Sequence, residues 1–444
     1  MKRRSLQLLL SFLFLIGISG CNSIEPPPPN GEKPTLTLKL EDVSCIEAWI
    51  ELTTTNLQLP TTVTLFKDSV GQNIILSHED TLLYIDSLFP NQTYTFQASS
   101  IQNPVSSNVI NVTSMDTTSH NFTFETWTFG TIGSSTLYDV AIINENNIWA
   151  VGEILISDTS INGYTNYNAV HWDGSEWELK RIPYYDFGGY LVYGPLQTVF
   201  AFGENDVWFC SYANLVQYNG NNYLSRAIFM TSINFNGQVL KMFGTDGNNI
   251  YCAGRNGALY HFYGTGWTRI ESGTDLNIND ICGDYNEKTD EWEILAVGGN
   301  ILQGLESERV ILKIIDGDQV QQINAEGANW PLRTVWFLTS QKYYVAGSGV
   351  YEKHYINQSI WENDVYDITT YSVNKLRGTS INDVVATGGL GELLHFNGML
   401  WKSYIDQVGL NYGNYYSVDI KNSIVTAVGK DSPSAVITIG KRIN

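Results

Sequence analysis

Ile148-Trp149-Ala150-Val151-Gly152, followed by His171-Trp172-Asp173-Gly174 and Trp177, is the stretch whose reading decides the fold. The first block reads as a buried strand ending in glycine, and the second as a strand, a turn and the ring of a further strand. The same sentence returns along the chain. It reads Val207-Trp208-Phe209-Cys210-Ser211 with Tyr218-Asn219-Gly220 and Tyr223, then Ile250-Tyr251-Cys252-Ala253-Gly254 with His261-Phe262 and Trp267. The fourth copy has Leu295-Ala296-Val297-Gly298 with Asp316-Gly317, and the fifth has Tyr344-Val345-Ala346-Gly347 with Trp361. Val385-Ala386-Thr387-Gly388 with His395-Phe396-Asn397-Gly398 and Trp401 makes the sixth, and Ala427-Val428-Gly429 the seventh.

A repeat of roughly 40–60 residues built only from short strands and turns is the pattern of a β-propeller. The chain is therefore expected to be all-β, with a seven-bladed propeller over residues 117–444. In the first repeat strand A falls at 137–143, B at 148–152, C at 169–172 and D at 176–181. Asp173-Gly174, Asn219-Gly220 and Asn397-Gly398 are expected to form two-residue hairpin turns between C and D, with positive φ at both positions. The seventh repeat runs out after a third strand at 435–439. Phe122-Thr123-Phe124-Glu125-Thr126-Trp127-Thr128-Phe129 has the alternation of a D strand and is expected to pair with the last blade, closing the ring and removing an open edge. Asn146-Asn147-Ile148-Trp149 resembles the Asn-x-Ile-Trp signature of sensor-type repeat propellers.

Ahead of the repeats, Lys2, Arg3 and Arg4 precede an apolar run from Leu6 to Ile18 that is short for a membrane span, so residues 1–20 read as an export signal. Ile18-Ser19-Gly20-Cys21 resembles the bacterial lipobox, which implies acylation of Cys21 and a site in the bacterial cell envelope, at the outer membrane or cell surface. Residues 21–33 contain Pro26-Pro27-Pro28-Pro29 and read as a stiff tether. Residues 34–116 alternate strand-like runs with polar turns, as a β-sandwich does, with Trp49 as an expected core ring. Leu88-Phe89-Pro90-Asn91-Gln92-Thr93-Tyr94 resembles the corner of the fibronectin type III module, in which the Tyr hydroxyl pins the turn.

Without residues 1–20 the chain holds 22 basic and 45 acidic residues, a formal charge of −23. Such a body repels polyanions, so nucleic acid is excluded as a partner. Cys45, Cys210, Cys252 and Cys282 read as small buried hydrophobes. His171, His261 and His395 share one repeat slot with Gln217 and Lys313, far apart around a ring, and so read as structural rather than as metal ligands. The sequence has no CxxC, HExxH, calcium-loop, nucleophile-elbow or phosphate-loop motif, and no cofactor is expected.

Two places exceed what folding requires. One is the face of the D-to-A and B-to-C loops, rich in Tyr164, Tyr167, Tyr184, Tyr185, Tyr190, Tyr404 and Tyr412, which suits stacking on a glycan or peptide. The other is the start of strand A, where alignment brings Asp139, Thr198, Lys241, Asp280, Thr334, Lys375 and Ser417 into one slot at the channel mouth. Of these, Asp139, Lys241, Asp280 and Lys375 are the charged ligand candidates, and bridging between blades is the competing role. The expected function is a monomeric, lipid-anchored, non-catalytic module that recognises a glycan, peptide or envelope protein. A carbohydrate-active glycosidase or lyase using Asp139, Asp186 or Asp280 is the first alternative, and an outer-membrane assembly factor the second.

Overall fold

The computed structural model describes residues 33–100, 102–228, 235–300, 308–362, 369, 371–408, 410 and 412–443. The export signal, Cys21 and the tether to residue 32 lie outside the described residues. No α-helix occurs among the described residues, and none of their helices is long and apolar enough to cross a membrane.

Seven small antiparallel sheets follow one another in chain order. The first consists of Thr136–Asn144, Asn147–Ser157, Tyr164–Trp172 and Trp177–Lys180 in sequential order. The innermost strands of the next six are Thr198–Gly203, Val239–Asp246, Ile278–Asn286, Thr334–Leu338, Val373–Ser380 and Asn414–Lys421. Each touches the innermost strand of the next sheet, and Asn414–Lys421 touches Thr136–Asn144, so the sheets form a closed ring. This is the arrangement of a seven-bladed β-propeller. Apolar side chains from both faces of every blade fill the spaces between blades, such as Trp208, Cys210, Leu215, Met242, Cys252 and Tyr260 between the second and third. The four described cysteines are free and buried.

The glycine that ends each B strand has a packing reason. In five blades the A strand carries a bulge opposite it, between Leu137 and Asp139, Val239 and Lys241, Ile278 and Asp280, Val373 and Lys375, and Tyr415 and Ser417. A Cβ on Gly152 would lie 2.0 Å from the Thr136 carbonyl oxygen, and one on Gly298 2.1 Å from that of Asn277. Only glycine admits that approach. Blade 2 has Ser211 in place of the glycine, and its A strand is regular there.

The seventh sheet closes as expected. Ser434–Arg442 pairs with Phe122–Phe129 in an unbroken antiparallel register from Ala435↔Phe129 to Arg442↔Phe122. Trp127 packs against Trp172 and Trp177 of the first blade. The C-to-D turns differ from expectation. Trp172 pairs with Trp177, leaving a four-residue loop, and only Gly174 takes positive φ, at 98°. The Asp173 carboxylate accepts from the Ser175 and Glu176 amides, which turns the chain in place of a second left-handed residue. Asn219 and Asn397 do the same in their blades.

The N-terminal strands form two sheets, Thr35–Val43 with Ala48–Thr55 and Asp80–Ile85, and Val70–Leu76 with Thr61–Lys67, Thr93–Ser100 and Val105–Ser106, with Ile110–Thr113 pairing Thr93–Ser100. Trp49 is buried, and the Tyr94 hydroxyl accepts from the Phe89 amide at 2.8 Å. By internal contacts the chain divides into two units. Among the described residues the smaller holds 33–39, Glu51–Leu82 and Thr95–Ile110, and the larger holds Leu40–Ile50, Leu83–Tyr94 and those from Asn111 on.

Candidate functional site

The bulges set the geometry of the channel mouth, because a bulge re-aims the side chain that follows it. Around the ring the slot reads Asp139, Thr198, Lys241, Asp280, Thr334, Lys375, Ser417, which is Asp-Thr-Lys twice and then Ser. The bonding repeats with the residues. Asp139 accepts from Thr198 Oγ1 at 2.6 Å and from the Val199 amide at 3.2 Å, and Asp280 accepts from Thr334 Oγ1 at 2.7 Å and the Val335 amide at 3.2 Å. Lys241 Nζ lies 2.7 Å from Asp139, and Lys375 Nζ lies 2.6 Å from Asp280. Ser417 of the seventh blade donates to Asp139 at 2.7 Å, joining the two halves.

Two residues further along each A strand, side chains return to the channel, since strand period is two. This layer holds Ala141, Phe200, Phe243, Cys282, Trp336, Arg377 and Asp419, and with Asp139, Lys241, Lys375 and Ser417 of the polar layer it lines a cavity of about 220 Å3. Sequence reasoning missed Arg377 and Asp419. Arg377 makes a bidentate pair with Asp280, with both nitrogens at 3.0 Å, and its Nη1 also donates to the Val335 carbonyl. Asp419 accepts from the Ile142 amide at 2.8 Å. Their signal was the i+2 relation to Lys375 and Ser417.

Burial alone would raise the Asp280 carboxyl, but Arg377 and Lys375 outweigh it and hold the group below the usual carboxylate range. Asp139 is held down in the same way by Lys241 and Lys375 against its burial. Lys375 shares its carboxylate with Arg377, so burial and that guanidinium prevail and pull its ammonium to about 7. Burial raises Asp419. Asp419 apart, whose carboxyl accepts from backbone amides, the channel charges are therefore spent on one another across blade boundaries, which is the bridging role.

The aromatic loops sort by burial. Tyr184 and Tyr404 are core residues and correct the expectation that they lie on the loop face. The Tyr184 hydroxyl accepts from Ser211 Oγ at 3.0 Å, and Tyr404 donates to the His120 carbonyl and packs on Phe122 and Phe124. Tyr167 is partly buried against the first blade's core. Tyr164, Tyr185, Tyr190 and Tyr412 are exposed, but no ring contact joins them to one another among the described residues. The structure instead joins Phe187 of the aromatic connection between blades 1 and 2 to two rings that sequence reasoning passed over, Tyr212 and Phe235. Phe187, Tyr212 and Phe235 make a chain with centroids 5.5 and 5.6 Å apart, and Phe235 stacks on Tyr260 at 5.7 Å.

Four polar C-strand residues have a partner at the first position of their own B strand: His171 with Asn147, Gln217 with Asp206, His261 with Asn249 and His395 with Asp383. Lys313 meets Glu293 on strand B. His171 and His261 thus serve their own blades, while His395 also meets His120 Nδ1 at 2.8 Å and packs on Phe122 of the seventh sheet.

No family model matches the chain, and no curated protein matches it. Solved structures that resemble it include one titled YCF48 bound to D1 peptide, at 14% identity and TM-score 0.53, covering 74% of this chain and 99% of that one. YCF48 from Cyanidioschyzon merolae matches at 14% identity and TM-score 0.50, over 71% of this chain and 98% of its own. A catalytically inactive virginiamycin B lyase from Staphylococcus aureus with quinupristin matches at 9% identity and TM-score 0.50, over 72% of this chain and 100% of that one. At these identities the likeness is one of fold.

Proposed function

We propose that this chain is a lipid-anchored binding module of the bacterial cell envelope, monomeric and non-catalytic. In this reading Cys21 carries the anchor at the outer membrane or cell surface, a proline-rich tether and a fibronectin type III-like module act as spacers, and the propeller presents a recognition surface. The observation that carries it is the contrast between the channel and the loops. The channel carboxylates Asp139 and Asp280 are locked into bridges between blades, and Asp186 is held in its own turn by the Gly188 and Tyr190 amides. Asp139 and Asp280 are held below the usual carboxylate range by their cations, the opposite of the raised acid that glycoside chemistry requires. Exposed aromatic side chains, by contrast, stand on the loops of one face, where rigid scaffolds carry recognition. A neighbour of the same fold captured with a peptide is consistent with a macromolecular ligand.

Fractionation of cells carrying Cys21→Ser tests the anchor. The expected result is loss of palmitate incorporation and transfer of the protein from membranes to the soluble fraction. Retention in membranes would overturn the lipoprotein reading.

A further inference from the structure

We infer that the cleft between the second and third blades, walled by Tyr212 and Phe235, is a saccharide-binding site. This rests on the binding-module reading and names its ligand class. The cleft has a volume of about 400 Å3 and is lined by Tyr212, Phe235, Asn236, Gln238 and Arg255 with Asn256. That size falls within the roughly 300–1,000 Å3 of small-molecule sites.

Three loops build it. The Tyr184–Tyr185 and Leu191–Val192 strands form a small hairpin whose tip is tied by the Asp186 carboxylate, and this carries Phe187, 60% exposed, to the edge of Tyr212. The turn between the second blade's B and C strands carries Tyr212 itself. The connection to the third blade supplies Phe235, fixed on the Tyr260 ring, while the Asn236 amide donates to the Tyr260 hydroxyl at 2.7 Å. At the floor a Cβ on Gly237 would lie 1.9 Å from the Arg255 carbonyl oxygen, so glycine lets this connection lie directly on the third blade's loop.

The conformation of Tyr212 is the feature folding does not require. Its φ is 59°, in the left-handed region that a bulky residue enters only at a cost, and its ring is 42% exposed. Asn or Gly would satisfy this turn with less strain. Holding an aromatic there places a half-exposed residue in the cleft wall, with the Phe235 ring 5.6 Å from its own.

The polar lining decides the ligand class. The side-chain amides of Asn236 and Asn256 and the Arg255 guanidinium are exposed and meet no partner among the described residues. Ring faces next to neutral amides match the apolar face and the hydroxyl edge of a pyranose. Arg255 is the cleft's one charged group, in a chain of formal charge −20, and it favours a sugar bearing a carboxylate.

The test is calorimetric titration of the whole chain with defined hexasaccharides: cello-, xylo-, malto-, chito-, galacturono- and mannuronohexaose. Saturable binding of at least one is expected, with Tyr212→Gly weakening it by about tenfold or more, the scale of one lost stacking ring with its burial. Because glycine adopts positive φ freely, Tyr212→Gly should melt at the same temperature as the parent or higher. Asn236→Ala should also weaken binding with an unchanged melting temperature. No binding across the panel, equal affinity in Tyr212→Gly, or a lowered melting temperature in that variant would each overturn the site. Shortening of a bound hexasaccharide would instead overturn the non-catalytic reading and leave the saccharide site standing, and the Cys21→Ser fractionation is independent of every one of these results.

Discussion

Asp280 is fully buried and neutralised by two cations, so its removal leaves Lys375 and Arg377 facing each other without the carboxylate that bonds both. Asp280→Asn should destabilise the protein by about 3–5 kcal/mol, the usual effect of breaking a buried pair from one side. Arg377→Met should be more damaging than Lys375→Met, because Arg377 makes the bidentate contact while Lys375 offers one ammonium bond. The two groups titrate with opposite consequences. Asp280 ionises more readily in the folded chain than at its ordinary 3.8, so its contribution is present above that pH and lost as pH falls through the lower folded value. Lys375 has its folded value near 7 against an ordinary 10.5, so between those limits the unfolded chain holds a proton the folded chain has released. Stability from this group therefore rises with pH across that window. Denaturant titrations should show Lys375→Met flattening the rise above neutral pH, and Asp280→Asn flattening the acid limb. Aligning the repeats was enough to place seven residues in one ring, Asp280 and Lys375 among them. It could not show which were bonded, since Arg377 enters through a second layer where the other blades supply mostly apolar side chains.

At the scale of the strand, the glycine opposite each bulge and the strand from outside the repeats are the sensitive points. Gly298→Ala would drive a Cβ into the Asn277 carbonyl, and a loss of at least about 1–3 kcal/mol is expected from the displaced A strand. Calorimetry reads this directly, with the same change at exposed Gly163, which has open space around it, as a comparison limited to its positive φ. A chain beginning at Ser134 lacks Phe122–Phe129 and leaves Ser434–Arg442 as an open edge, so it should melt lower and aggregate, whereas one beginning at Thr117 should stay monomeric by light scattering. Closure was legible because Phe122–Phe129 alternates like a D strand and the last repeat lacked one. The turns were misread because Asp-Gly and Asn-Gly serve a two-residue turn and a side-chain-capped four-residue loop equally well. Tyr184 and Tyr404 were misplaced for a related reason: tyrosine in a loop is indistinguishable by composition from tyrosine that folds the loop back onto the blade.

For the molecule as a whole, charge and anchor are expected to act in opposition. In the proposed reading the body without residues 1–20, at a formal −23, should be repelled by anionic lipid, so the Cys21→Ser protein should fail to float with anionic vesicles at low salt, while a chain acylated at Cys21 should float at any salt. Flotation of the Cys21→Ser protein would reveal a second membrane-binding surface.

The pairing of Phe122–Phe129 with Ser434–Arg442 also fixes an order of events in time. The strand that closes the ring is synthesised first among the strands of the seven blades, and its partner last. At roughly 5–20 residues per second, the ~300 residues between them keep the early strand waiting for about 15–60 s. Throughout that interval the nascent protein presents six successive sheets with an unmatched edge at each end. Closure of the ring therefore waits until residue 442 has emerged, long after the earlier blades can pair within themselves.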